Sequence, residues 1–377
     1  MSATPRSGRL ANVLHLGVKE LRSLRRDPLM LAFIVFAFSA AIYSAASVDM
    51  ELHQAPVAIV DEDRSQLSAA IAGALLPPRF KAPALVDARE ADAAMDRGRY
   101  TFALGIPPGF QRDVLAGRRP ALQLNVDATQ TSQAFIGAGY IEAIAAAEVA
   151  RFAAAPAAAA PPVALDVRMR FNPNLDSKWF GAVMELINNI TMLGLILTGA
   201  AVIREREHGT VEHLLSMPLT PLEIMAAKVW ANGLVVILAA GLSLHFVVRG
   251  LLGVPVAGSV ALFLAGALLH LFAVTSMGIF LGTVARSMPQ LALLVMLVAL
   301  PLEVLSGGMT PRESMPEAVR AVMSFAPTTH FVSFAQAILY RGAGLDIVWP
   351  QFLAIAAIGA ALFAGALARF RRSVAAG

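Results

Sequence analysis

Among its 377 residues the chain has no cysteine. Disulfides, thiolate metal sites and cysteine nucleophiles are therefore excluded. Charge is also scarce, at 15% Asp, Glu, Lys and Arg, against about 25% in ordinary soluble domains. No Gly-Lys pair occurs, so the Gly-x-x-x-x-Gly-Lys-Ser/Thr loop that cradles nucleotide phosphates is missing. Neither a Gly-x-Ser-x-Gly elbow nor a His-Glu-x-x-His pair is present, and the seven histidines are scattered without ligand spacing. No catalytic residue, no metal site and no cofactor held by this chain are expected.

What is present is apolar. Hydrophobic residues make up 57% of the chain, and mean hydropathy is +0.65. An isoelectric point near 9.7 raises the question of nucleic acid, but the basic residues gather at the ends of apolar runs and form no stripe beside aromatics. The chain reads as an integral membrane protein with the lipid bilayer, not nucleic acid, as its surroundings.

Six apolar runs, at 29–48, 180–203, 229–248, 260–284, 290–306 and 347–368, approach the about 20 residues that cross a bilayer as helix. The first follows a basic stretch and could be taken for a signal peptide. Its length and the lack of a small-x-small cleavage site favour a retained first span. Before it, Leu10, Val13, Leu14, Gly17, Val18, Leu21 and Leu24 recur at helical spacing among Lys19, Arg22, Arg25 and Arg26. Residues 1–28 are expected to form an amphipathic helix in the lipid interface, with Asp27 capping and Pro28 opening the first span. Arg and Lys are concentrated before the first run, around 204–228, at Arg286 and after the sixth run. By the positive-inside rule both termini and the 204–228 segment are cytoplasmic.

Residues 49–178 are expected to form an external α/β domain inserted between the first and second spans. Candidate strands at 57–60, 84–86, 100–106, 121–126 and 165–171 alternate with candidate helices at 65–76, 89–97, 108–116 and 130–155. Residues 179–377 then hold five spans. Gly and Pro break the stretch 307–346 into short helices on the outer side.

The segment Arg204 to Pro218 is a charged hinge between two spans. Thr210 can cap a short helix with Glu212 in its first turn, and Pro218 stops it. Thr220-Pro221-Leu222-Glu223 is a capping box that launches the next helix. Composition alone leaves two readings open: a solvated loop that fixes topology, or a rigid lever on which a soluble partner pushes.

Glu205-x-Glu207-x-Gly209-Thr210-x-Glu212-x-Leu214-Leu215-x-x-Pro218 resembles the coupling segment of type 2 ABC transporter permeases, in the multidrug-efflux-like branch with a large periplasmic domain. Further matching pieces are Arg26-Asp27-Pro28, Phe171-Asn172-Pro173-Asn174, Gly282-Thr283-Val284-Ala285-Arg286 and Leu305-Ser306-Gly307-Gly308-Met309-Thr310-Pro311. They stand in the family's order along nearly the whole chain. The resemblance implies a bacterial inner-membrane exporter subunit whose hinge, through Glu205, Glu207, Gly209, Thr210, Glu212, Leu215 and Pro218, meets a separate ATP-binding subunit carrying ATP and Mg. It also implies a second permease subunit, a periplasmic adaptor, and drug-like cargo; sodium or lipid and natural-product export belong to the same class. In the second run Glu185, Asn188 and Asn189 share a polar face, and with Glu303 they are candidates for the export route. The plainer alternative is a Glu185 carboxylate at headgroup level with the Asn pair joining helices. A different class, a membrane-anchored sensor acting through its external domain, is the alternative.

Overall fold

The computed structural model describes residues 6–47, 52, 54–127, 131–153, 177–207, 219–310, 312 and 315–375. It divides into two compact units, one of Met1–Ser47 with Arg170–Gly377 and the other of Val48–Met169. The first is helical. It begins with α1 (Arg6–Arg25), followed by α2 (Pro28–Phe36), a wide π-helical turn (Ala37–Ala41) and α3 (Ile42–Ser47), which continue one another as a single rod. The Asp27 carboxylate accepts the Met30 N–H at 3.0 Å and Pro28 occupies the first turn, so the expected cap and start are in place.

The second unit holds β1 (Val57–Asp61), α4 (Gln66–Ala74), β2 (Ala84–Leu85), α5 (Ala88–Met95), β3 (Phe102–Ile106), α6 (Phe110–Leu115), β4 (Gln123–Val126) and α7 (Thr131–Ala153). Its sheet runs β2-β1-β3-β4, with β1 parallel to β2 and β3, and β4 antiparallel to β3. Parallel neighbours need helical crossovers, and α4 and α5 supply them. Four expected strands and all four helices are present. The expected strand at 165–171 lies outside the described residues. Past β1, Asp63 accepts the Gln111 N–H at 2.9 Å. Burial pushes the Asp63 carboxyl up, but hydrogen bonds from Ser65 and from the backbone of Gln111, Gly109 and Phe110 outweigh it and hold the pKa below the usual value.

The membrane unit resumes with α8 (Ser177–Glu207), α9 (Pro221–Leu242) running into a π-helical segment (Ser243–Leu251), α10 (Val260–Val284), α11 (Met288–Val304), α12 (Glu317–Met323), α13 (Pro327–Leu339) and α14 (Leu345–Ala375). Five helical stretches are long and apolar enough to cross a membrane: Pro28–Ser47, Lys178–Glu207, Pro221–Leu251, Val260–Val284 and Leu345–Arg372. The sixth expected span falls short among the described residues. α11 has 17 residues, about 26 Å at 1.5 Å per residue, less than the about 30 Å of a hydrocarbon core. Ser287 caps its start, and the chain departs after Val304 towards Gly307, whose φ of 98° no helix allows.

The core is centred on α8 and α10, whose packing is the most extensive in the molecule. Glycines let the two backbones meet. A Cβ on Gly278 would stand 2.3 Å from Thr198 Oγ1 and 2.6 Å from the Leu195 carbonyl oxygen, and one on Gly282 would stand 3.0 Å from the Gly199 carbonyl oxygen. Gly278-x-x-x-Gly282 is thus a close-approach seam of the kind that binds membrane helices. The broken stretch contributes α12 and α13 as expected, and α13 is buried against α8, α10 and α14. His270 is fully buried on α10; its Nε2 lies 2.9 Å from Thr191 Oγ1 on α8, and its ring stacks on Phe331 at 4.0 Å. A neighbouring helix partners its Nε2, while among the described residues its buried Nδ1 has no hydrogen-bond partner.

Candidate functional site

The second apolar run was expected to end at Ile203. Instead α8 continues through Glu207, so the first four residues of the hinge are its last helical turn. At 31 residues α8 is about 46 Å long and outruns a hydrocarbon core by roughly three turns. Successive residues of a helix point about 100° apart, so four in a row face all sides. Arg204, Glu205, Arg206 and Glu207 each grip a different neighbour.

Arg204 Nη1 donates to Asp27 Oδ2 at 2.8 Å, so the Asp27 carboxylate both caps α2 and holds α8. Glu205 accepts from Lys228 Nζ of α9 at 2.9 Å and from Lys19 Nζ of α1 at 3.2 Å. Arg206 Nη1 donates to the Ala285 carbonyl at 2.7 Å, at the C-terminal end of α10. Glu207 Oε1 accepts the Met288 N–H at 3.3 Å, at the start of α11. A cation thus meets a helix C-terminus and an anion meets a helix N-terminus, the favourable sense of both dipoles.

Across the hinge, Thr220 and Glu223 form the expected reciprocal cap with Pro221 in the first turn. Lys228 lies two turns further along, 1% exposed, and also donates to Glu20 Oε1 of α1 at 3.0 Å. Sequence reasoning treated Lys228 as a topology marker and missed this network. The available signal was a lysine within an apolar helical run, which is rarely buried without partners. Gly209, Thr210, Glu212, Leu215 and Pro218 lie outside the described residues.

Glu205 was expected at the surface of a coupling contact. Its side chain is 12% exposed and turned into the ion pairs, while Glu207 is exposed. Nearer the other end of α8, Glu185 and Asn189 are half-buried, one turn apart. Asn189 Nδ2 donates to Glu185 Oε1 at 3.1 Å and to the Ala37 carbonyl at 2.8 Å, where the π-helical turn widens the first rod. The structure therefore brings Glu185 and Asn189 together; Asn188 is half-buried on the same helix, and Glu303 is half-buried on α11, which packs against α8.

Comparison with known proteins matches this architecture along its length. Residues 29–368 fit the family model of the ABC-2 family transporter protein. The chain is 60% identical over 367 residues to the Inner membrane transport permease YhhJ of Escherichia coli (strain K12), covering 97% of this chain and 98% of the relative. It is 30% identical over 368 residues to the Probable multidrug ABC transporter permease YbhR of the same organism (94% and 97%), and 28% identical over 336 residues to the Probable multidrug ABC transporter permease YbhS (86% and 87%). With five helices long and apolar enough to cross a membrane and the family model matched over residues 29–368, the chain is a multi-pass transport permease and belongs to the ABC-2 transporter family.

Proposed function

We propose that this permease is the membrane subunit of an ATP-driven exporter, worked by a separate ATP-binding subunit that holds ATP and Mg and docks on the 204–218 hinge. The observation that carries it is the root of the hinge, where Arg204 to Glu207 tie one helical turn to α1, α2, α9, α10 and α11. A force applied there reaches five helices at once. Because Glu205 is turned inward, the motor contact falls on Glu207 and on Gly209, Thr210, Glu212, Leu215 and Pro218, with Glu205 holding the root in place.

Two such subunits, identical or similar, form one pathway, with both termini and the hinge cytoplasmic and the α/β unit on the periplasmic side of the inner membrane, where an adaptor meets it. Two relatives bear names that specify multidrug transport, and drug-like or other amphiphilic cargo is carried over from them. Glu185, Asn188, Asn189 and Glu303 line the route and favour cationic amphiphiles, since paired carboxylates within a membrane usually face protein or a water-filled path.

The test is retention of the ABC ATP-binding subunit by the full-length chain in detergent, together with efflux from membrane vesicles. Wild type is expected to retain the ATPase and export a cationic amphiphilic dye; Glu212→Arg and Gly209→Pro are expected to lose both. Undiminished binding and efflux in both variants would refute the coupling role of the hinge.

A further inference from the structure

The two shoulders of the hinge are fastened to each other, and α1 fastens them both. Lys19 and Glu20 are adjacent on α1, one cation and one anion. Across from them stand Glu205 of α8 and Lys228 of α9. Lys19 reaches Glu205 at 3.2 Å, Glu205 reaches Lys228 at 2.9 Å, and Lys228 reaches Glu20 at 3.0 Å. These four form a neutral chain of alternating charge with the buried Lys228 at its centre. The same face of α1 holds α9 along three turns. Trp230 Nε1 donates to the Val13 carbonyl at 3.1 Å, and Asn12 Nδ2 donates to Glu223 Oε1 at 3.3 Å. A Cβ on Gly17 would fall 2.0 Å from the Trp230 ring, so only glycine lets the two helices lie this close.

We infer that Lys228 is a positioning residue of the transport cycle: it locks α1, α8 and α9 into one block, so that a displacement of the hinge moves the three together. This rests on the exporter reading above. An ion network is not needed for stability alone, because well-packed apolar residues of similar volume commonly serve as well or better in such a place. What apolar packing lacks is direction, since it permits sliding, whereas charge-assisted hydrogen bonds hold one register. Lys228 also takes one carboxylate from each flanking helix, which joins the hinge shoulders without passing through the hinge. α8 and α9 therefore cannot scissor apart at this level without separating a buried cation from its partners.

The experiment uses the full-length permease reconstituted in proteoliposomes with its ATP-binding subunit, and reads cargo exported per ATP hydrolysed. Lys228→Met is expected to lower that ratio about tenfold, and Lys228→Arg to restore most of it. Because Lys228→Met strands two carboxylates and so destabilises the fold, the variant Glu20→Gln/Glu205→Gln/Lys228→Met removes every stranded buried charge and leaves only the half-exposed Lys19 without its partner. It is expected to recover the melting temperature yet keep the lowered ratio. A wild-type ratio in this triple variant would overturn the inference alone, leaving the network as packing. Failure of the wild-type chain to retain an ATPase would overturn the exporter reading and the inference with it.

Discussion

Glu205 and Glu185 stand on the same helix, about 30 Å apart at 1.5 Å per residue, and their surroundings are opposite. Glu205 is held between two lysines. Glu185 meets the Asn189 amide, and among the described residues no cation pairs with it. One end of α8 is electrically closed by ion pairs; the other carries a carboxylate that no cation pairs with among the described residues. If α8 is the lever proposed above, the first is its fixed point of application and the second its responsive far end.

The largest expected effect comes from opening the closed end. Glu205→Ala leaves Lys19 without its carboxylate and Lys228 with Glu20 alone. Removing one partner of a buried ion pair costs about 3–5 kcal/mol, and the retained Glu20 keeps the loss near the low end. Thermal unfolding of the purified chain should show it; a loss too small to resolve would mean that the hinge root is soft and the contrast with Glu185 false.

Next is the stretch that connects the ends. Gly278→Val puts a branched side chain against Thr198 and the Leu195 carbonyl, and overpacking of this kind costs about 2 kcal/mol. Because the obstacle is backbone, α8 must move away from α10. The expected signature is a lowered melting temperature with reduced coupling. An unchanged melting temperature would show that α8 and α10 separate easily and that the two ends of α8 are not rigidly linked.

Asn189→Leu tests the open end more gently. It removes the donor to the Ala37 carbonyl and to Glu185, and interhelical hydrogen bonds in membranes are worth about 0.6–2 kcal/mol. A loss near 1 kcal/mol in reversible unfolding is expected. No loss would mean that the Ala37 carbonyl finds another donor.

Much of this was legible in the sequence because local chemistry fixed it. The Asp27-Pro28 start, the Thr220-to-Glu223 box and the alternating strands and helices of the α/β unit depend on residues within a turn or two of one another. The Glu185 and Asn189 pair was legible for the same reason, being one helical turn apart. The site at the hinge root was not. Lys228 lies 208 positions from Glu20, and no periodicity reveals which distant carboxylate a buried lysine will meet. Gly278 and Gly282 read as ordinary small residues until α8 is laid against them. The length of α8 escaped for a subtler reason: Arg204 to Glu207 look like a loop by hydropathy, yet all four are good helix formers, and tertiary ion pairs let the helix run on through them.

The smallest expected change in stability belongs to Glu185→Gln, and for that reason it separates position from passage most cleanly. Glutamine keeps the carbonyl oxygen that accepts from Asn189, keeps the volume, and removes only the charge. Stability should shift by no more than about 0.5 kcal/mol, within the range of substitutions that break no named interaction. If Glu185 serves passage, export of a cationic amphiphile should fall while export of a neutral one of similar size is retained, a pattern no packing defect produces. Equal loss of both cargoes with a lowered melting temperature would place Glu185 with Glu205, as a residue that holds α8 in place, and both ends of the helix would then be structural.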